Sequence, residues 1–144
     1  MQNVVAVVLG MMVAIGLVSV GDAMAGTLFT LPPGIDPSNK TAMAGALEVA
    51  IANAPVSAML AIVAGYFVAA FGGGFIARKI AVTPSHWPSY TVGVLVFLAT
   101  AANFASIKHP LPMVVLGLLV PLPGSWLGAR LGRGGSRVAA SPTA

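Results

Sequence analysis

The side chains able to do acid–base or metal chemistry in this chain are few: Asp22, Asp36, Glu48, His86 and His109, with no cysteine at all. Without cysteine there are no disulfides, thiolate metal sites or cysteine nucleophiles. No HExxH, GxSxG or GxxxxGK[ST] pattern occurs either. His86 and His109 fall in connections expected on opposite sides of a membrane, so they cannot share a metal or pass a proton directly. Gly72-Gly73-Gly74 lies inside an apolar run without a basic partner, which is unlike a phosphate-cradling loop. The residues therefore point to no catalytic, metal or cofactor site.

What remains is polar chemistry at the ends of apolar segments. Asp22 lies about 28 Å along a helix that starts at Asn3, at the level of lipid headgroups. It is placed to pair with Lys108, to cap the loop after it, or to admit a proton or cation. Thr100, Asn103 and Ser106 recur at i, i+3 and i+6, one helical face that either bonds to a neighbouring helix or lines a small polar pocket. Tyr66 falls in the middle of an apolar run and needs a partner for its hydroxyl.

The elements that carry these residues are set by where charge is missing. The chain has seven Lys and Arg and three Asp and Glu in 144 residues, with 58% hydrophobic residues and a mean hydropathy of +0.96. Residues 1–21, 49–77, 80–107 and 109–129 contain no charged side chain. Each run reaches about 20 residues, the length a helix needs to cross ~30 Å of hydrocarbon. The expected fold is an all-α membrane protein with four spans at about 3–24, 56–77, 90–107 and 111–131. These form a single bundle over 1–133, followed by a flexible tail over 134–144. Val4–Val20 followed by Ala23-Met24-Ala25 also fits a cleaved signal, but Met1-Gln2-Asn3 has no basic residue, so retention as a span is expected.

Between spans 1 and 2, GTLFTLPPGIDP reads as a turn. Asp36 is then expected to cap a short amphipathic helix that begins at Pro37. Met43, Leu47, Ala50, Ile51 and Ala54 line its apolar side, while Lys40, Thr41 and Glu48 lie toward another. Arg78, Lys79, Arg130, Arg133 and Arg137 share one side of the bundle and Lys40 and Lys108 the other. The positive-inside rule then places both termini in the cytoplasm and the amphipathic helix in the periplasm. Trp87, Tyr90 and Trp126 fall near the cytoplasmic ends of their spans. A pI of 10.2 does not imply nucleic acid, because the basic residues are scattered over helix ends and form no stripe.

Small residues predict how the helices touch. Ser57, Ala61, Gly65, Ala69, Gly73 and Ala77 recur every fourth residue in span 2. Gly124, Gly128 and Gly132 do so in span 4, and Ala6, Gly10 and Ala14 in span 1. Such stripes let backbones approach, either within one bundle or between subunits. Pro121 and Pro123 remove two amide donors, so span 4 should bend where the carbonyls of Gly117 and Leu119 lose their partners.

Pro33-Gly34-Ile35-Asp36, Gly73-Gly74 with Ala77-Arg78, and His109-Pro110 together resemble a family of small four-span bacterial inner-membrane proteins of uncharacterised function. The resemblance covers most of 30–132 and implies a fold and a location but no activity. Leu111-Pro112 departs from it, since members often carry an aromatic residue there. The leading functional expectation is a non-catalytic accessory or structural subunit, embedded in the bilayer and packed against itself or other membrane proteins. The alternative is a small channel or transporter for a neutral or weakly charged solute.

Overall fold

Close approach between backbones decides how this chain is arranged. In a computed structural model that describes residues 1–27, 34–36 and 38–132, the regular elements are six helices. They are α1 (Gln2–Gly26), α2 (Lys40–Ala52), α3 (Val56–Ile80), α4 (Trp87–Ser106), α5 (Leu111–Leu119) and α6 (Pro121–Leu131). α1, α3, α4 and the α5–α6 pair are long and apolar enough to cross a membrane. The expected tail over 134–144 lies outside the described residues.

α3 is the central helix. α1 runs antiparallel along one flank, and a Cβ placed on Gly73 would lie 2.6 Å from the carbonyl oxygen of Gly10. The same two helices meet again at Gly21, whose added Cβ would lie 3.6 Å from Gly65 Cα. α6 runs parallel to α3 on another flank. Added Cβ atoms on Gly124 and Gly132 would fall 2.8 Å from Phe67 O and 2.7 Å from Phe75 O, and Gly128 stands equally tight against Phe71. α4 fills the space between: buried Val92 touches both Gly10 and Gly73, and Ser89 Oγ donates to Gly74 O at 2.7 Å. Lipid gives these contacts no hydrophobic drive, so dispersion between closely fitted surfaces must supply the attraction.

The span 2 stripe thus divides. Ala69, Gly73 and Ala77 are buried inside the bundle and Gly65 is half-buried, whereas Ser57 and Ala61 are exposed. A four-residue repeat advances about 40° past each full turn. The stripe therefore rotates off the buried face toward the start of α3.

Several boundaries differ from the sequence expectation. α3 continues past Arg78-Lys79 to Ile80, because long basic side chains can fold back: Lys79 Nζ sits 5.5 Å from the Phe75 ring centre. α4 starts at Trp87 rather than Tyr90, with Pro88 in its first turn where no amide is needed. Span 4 is two helices with a break at Val120, as the prolines require.

Asp36 does not cap α2, which starts at Lys40; Pro37, the helix start expected from the sequence, lies outside the described residues. Asp36 Oδ1 accepts from the Ser38 amide at 2.9 Å and the Ser38 hydroxyl at 2.7 Å, closing a local turn that uses up the carboxylate. Those bonds, the hydroxyl's first, hold the Asp36 carboxyl below the usual carboxylate range. Because the pKa is depressed, the turn is fully supported above the ordinary carboxylate range and loosens as pH falls through the lowered value. The cap of α2 is Asn39, whose side chain accepts from Ala42 N at 3.1 Å.

Two expected outcomes follow from this packing. Gly128→Leu should destabilise the detergent-solubilised bundle by at least ~1–3 kcal/mol, because an isobutyl group there meets backbone. Ser57→Leu, on the exposed part of the α3 stripe, should shift stability by less than ~0.5 kcal/mol; equal midpoints in a denaturant titration would contradict the packing. Asn39→Ala should speed amide exchange across Lys40–Ala52, since a lost cap costs about 0.5–2 kcal/mol. Asp36→Ala should leave that segment's exchange nearly unchanged.

Candidate functional site: a polar groove between α1 and α4

α1 and α4 run parallel and touch at Gly10 and Val92, then leave a groove between them toward the α2 end. The groove encloses about 200 Å³. Met11, Ala14 and Val96 line its deep, apolar part, and Ile15, Ser19, Asp22 and Asn103 its rim, with Tyr66 and Thr100 on the floor. A second cavity of about 270 Å³ continues beneath α2 and shares Asp22, Tyr66 and Asn103 with the first. Leu47 and Ile51 of α2 and His109 of the α4–α5 connection also line it.

Each side chain is held by its own element. Tyr66 comes from the middle of α3 and is 5% exposed; its ring meets Phe104 edge-on at 6.1 Å. Asn103 Nδ2 donates to the Tyr66 hydroxyl oxygen at 3.0 Å, which answers the partner that Tyr66 needed and leaves its O–H free to donate. Gly117 of α5 leaves the room that these rings occupy: an added Cβ there would lie 2.6 Å from Phe104 Cζ and 3.7 Å from Tyr66 Cδ2. His109 Nδ1 lies 2.6 Å from Ile107 O. A carbonyl can only accept, so Nδ1 carries a proton and donates it to Ile107 O.

The structure sorts the sequence candidates. Asp22, Thr100 and Asn103 share one groove. Ser106 is not part of it; the hydroxyl donates back to Ala102 O at 2.8 Å on an exposed surface, the usual way a helical serine satisfies itself. Lys108 does not pair with Asp22: its amide donates to Glu48 Oε1 at 3.4 Å, and its loop is drawn toward α2. Glu48, expected on a side of α2 other than that of Met43, Leu47 and Ile51, is half-buried against that connection. Ser57, Ala61, Gly65, Ala69, Gly73, Ala77, Gly124 and Gly128 do not line the groove.

Sequence reasoning missed Ser19 and His109 as neighbours of Asp22. Ser19 stands three residues before Asp22 on α1, a spacing that puts both on one helical face, whereas His109 comes from the α4–α5 connection and no spacing within the chain encodes its approach.

The opposite end of the bundle is tied shut. Arg78 Nη1 donates to Thr83 O at 2.7 Å and Nη2 to Pro84 O at 3.3 Å, while Asn3 Oδ1 accepts from Val82 N at 3.1 Å. Ser125, 1% exposed, wedges between Gly74 and Gly93. The groove therefore ends where Gly10, Gly73 and Val92 close.

Among the described residues, no three His, Cys, Asp or Glu side chains stand together as a metal site would require. Comparison with protein families, with curated proteins and with solved structures gives no match to this chain.

The Tyr66–Asn103 bond gives a direct test. In a double-mutant cycle with Tyr66→Phe and Asn103→Ala, the coupling energy in detergent should be about 0.5–1.5 kcal/mol, the range of buried interhelical bonds. Additive losses would mean that the bond does not help hold α3 to α4.

Proposed function

We propose that this is a non-catalytic, multi-pass protein of the bacterial inner membrane that holds a small, neutral or weakly charged solute in the α1–α4 groove, as a carrier does. The observation that carries the reading is the groove's size together with its lining. A cavity of about 200 Å³ admits a side-chain-sized occupant, not a helix about 10 Å across. Hydrocarbon cannot satisfy the polar groups on its floor and rim. An open channel through one bundle fits poorly with the closed packing at Gly10, Gly73 and Val92.

The basic residues at the end bearing Arg78, Lys79 and Arg130 support a cytoplasmic placement of that end and of both termini. Trp126, stacked under Arg130 at 3.9 Å, suits the same interface. α2 then lies on the periplasmic side, over the second cavity. The resemblance to small four-span bacterial inner-membrane proteins supports the same location.

A second reading, an accessory subunit in a homo-oligomer or larger membrane complex, is favoured by exposed Ser57 and Ala61, which leave a close-approach surface uncovered. Native mass spectrometry after purification in mild detergent separates the two. The carrier reading expects a lone chain or homo-oligomer that releases a small molecule, with that molecule absent from an Ala99→Trp variant whose indole fills the groove. A stoichiometric complex with another membrane protein, and no small molecule in either form, favours the subunit.

A further inference from the structure

The polar part of the groove has a sign. Asp22 is the one charged side chain that lines either cavity among the described residues, and it makes no ion pair or hydrogen bond there. Its neighbour Asn103 adds an acceptor, Oδ1, since Nδ2 is committed to Tyr66. No Lys or Arg opposes them in either lining.

A second, independent observation points to an occupant. Thr100 is 3% exposed and lines the groove, yet its hydroxyl has no hydrogen-bond partner among the described residues. The oxygen is not sealed among protein atoms but opens on the groove, so its partner must come from whatever fills that space. Met11, Ala14 and Val96 cover the rest of the space with apolar atoms.

We infer that the groove binds a small organic cation: a primary ammonium on a short apolar chain. The three ammonium donors face Asp22, the Asn103 carbonyl and the Thr100 hydroxyl oxygen, and the chain runs inward along Met11, Ala14 and Val96. This inference rests on the solute-holding reading and specifies its charge. An inorganic cation suits the lining less well, because Mg²⁺ or Ca²⁺ needs six or more oxygens and the groove offers one carboxylate and scattered neutral oxygens. The volume, below the ~300–1,000 Å³ of ordinary ligand pockets, limits the occupant to a few heavy atoms. That chemistry is carried both by free short amines and by the ethanolamine headgroup of a phospholipid, and exposed Ser19 and Ala99 leave the groove open sideways to lipid.

The test uses the full chain in phosphatidylcholine nanodiscs, titrated calorimetrically with three probes of similar size: propylammonium, 1-propanol and propionate. Propylammonium should bind at least about tenfold tighter than propanol, the ratio expected of a charge-assisted hydrogen bond, and propionate should give no binding heat. Asp22→Asn should bring the two affinities together, and Thr100→Val should weaken propylammonium several-fold with helicity unchanged. If propanol binds as tightly as propylammonium in both wild type and Asp22→Asn, the cation assignment falls while the solute reading stands. If no probe binds, and wild type and Ala99→Trp give the same heats, both fall. Adding phosphatidylethanolamine to the discs separates the sources: reduced propylammonium affinity assigns the site to a lipid headgroup, and unchanged affinity to a free amine.

Discussion

The arrangement depends on glycine-to-carbonyl contact along α3. At Gly73 against Gly10 O, and at Gly124 and Gly132 against Phe67 O and Phe75 O, no side chain separates the backbones. In lipid this is one of the few ways to make helix association favourable, since tails solvate leucine as well as another helix does. The close approach adds dispersion over long surfaces and lets weak Cα–H···O contacts form, each worth about 0.5–1 kcal/mol. α3 uses two separate flanks for this, one for α1 and one for α6. A helix clamped on two sides cannot shift toward either, so α4 must fit the space that remains.

The groove is a consequence of that fit. α4 is fixed to α3 at both ends, by Ser89 to Gly74 O and by Asn103 to Tyr66. α1 is fixed to the other flank of α3 at Gly10 and Gly21. Beyond Val92 the helices part, and Ala14, Ser19 and Ala99 leave room beside Met11, Asp22 and Asn103. The proline break at Val120 contributes from the far side. Val120 keeps helical dihedrals, φ −76° and ψ −27°, so span 4 continues through the break, with Gly124 and Gly128 of α6 against α3 and Gly117 of α5 against Phe104 and Tyr66.

The four spans could be read directly from the sequence, because hydrocarbon tolerates neither charge nor unbonded backbone and so leaves long charge-free runs in the chain. The proline break was legible for an equally local reason: a missing amide frees a carbonyl wherever the chain folds. Contacts between elements were less legible. The stripe on α3 identified Gly73 and Ala77 as contact residues, but not that Ser57 and Ala61 would rotate out of the bundle. Asp36 and Asn39 are both good caps, and the choice between them turned on Ser38, which claims the Asp36 carboxylate. Lys108 was within plausible reach of Asp22, yet Glu48 meets its amide, a matter of how α2 lies. Thr100 and Asn103 were visible as one helical face; that Ser19 and Asp22 would stand opposite them required the register of a second helix.

The two ends of the bundle divide the work for a physical reason. Where glycines let backbones touch, even a methyl group meets a carbonyl, and the space for a ligand is gone; the end at Gly10, Gly73 and Ala77 is committed to holding the helices. A binding site needs room and hydrogen-bonding groups whose partners are not all supplied from within, and both are found where α1 and α4 part. There Tyr66 and Asn103 bond to each other, so the groove keeps its shape without an occupant, while Thr100 and Asp22 retain unused capacity. A ligand entering the groove therefore gains new hydrogen bonds at Asp22 and Thr100 without breaking the one that holds α3 to α4.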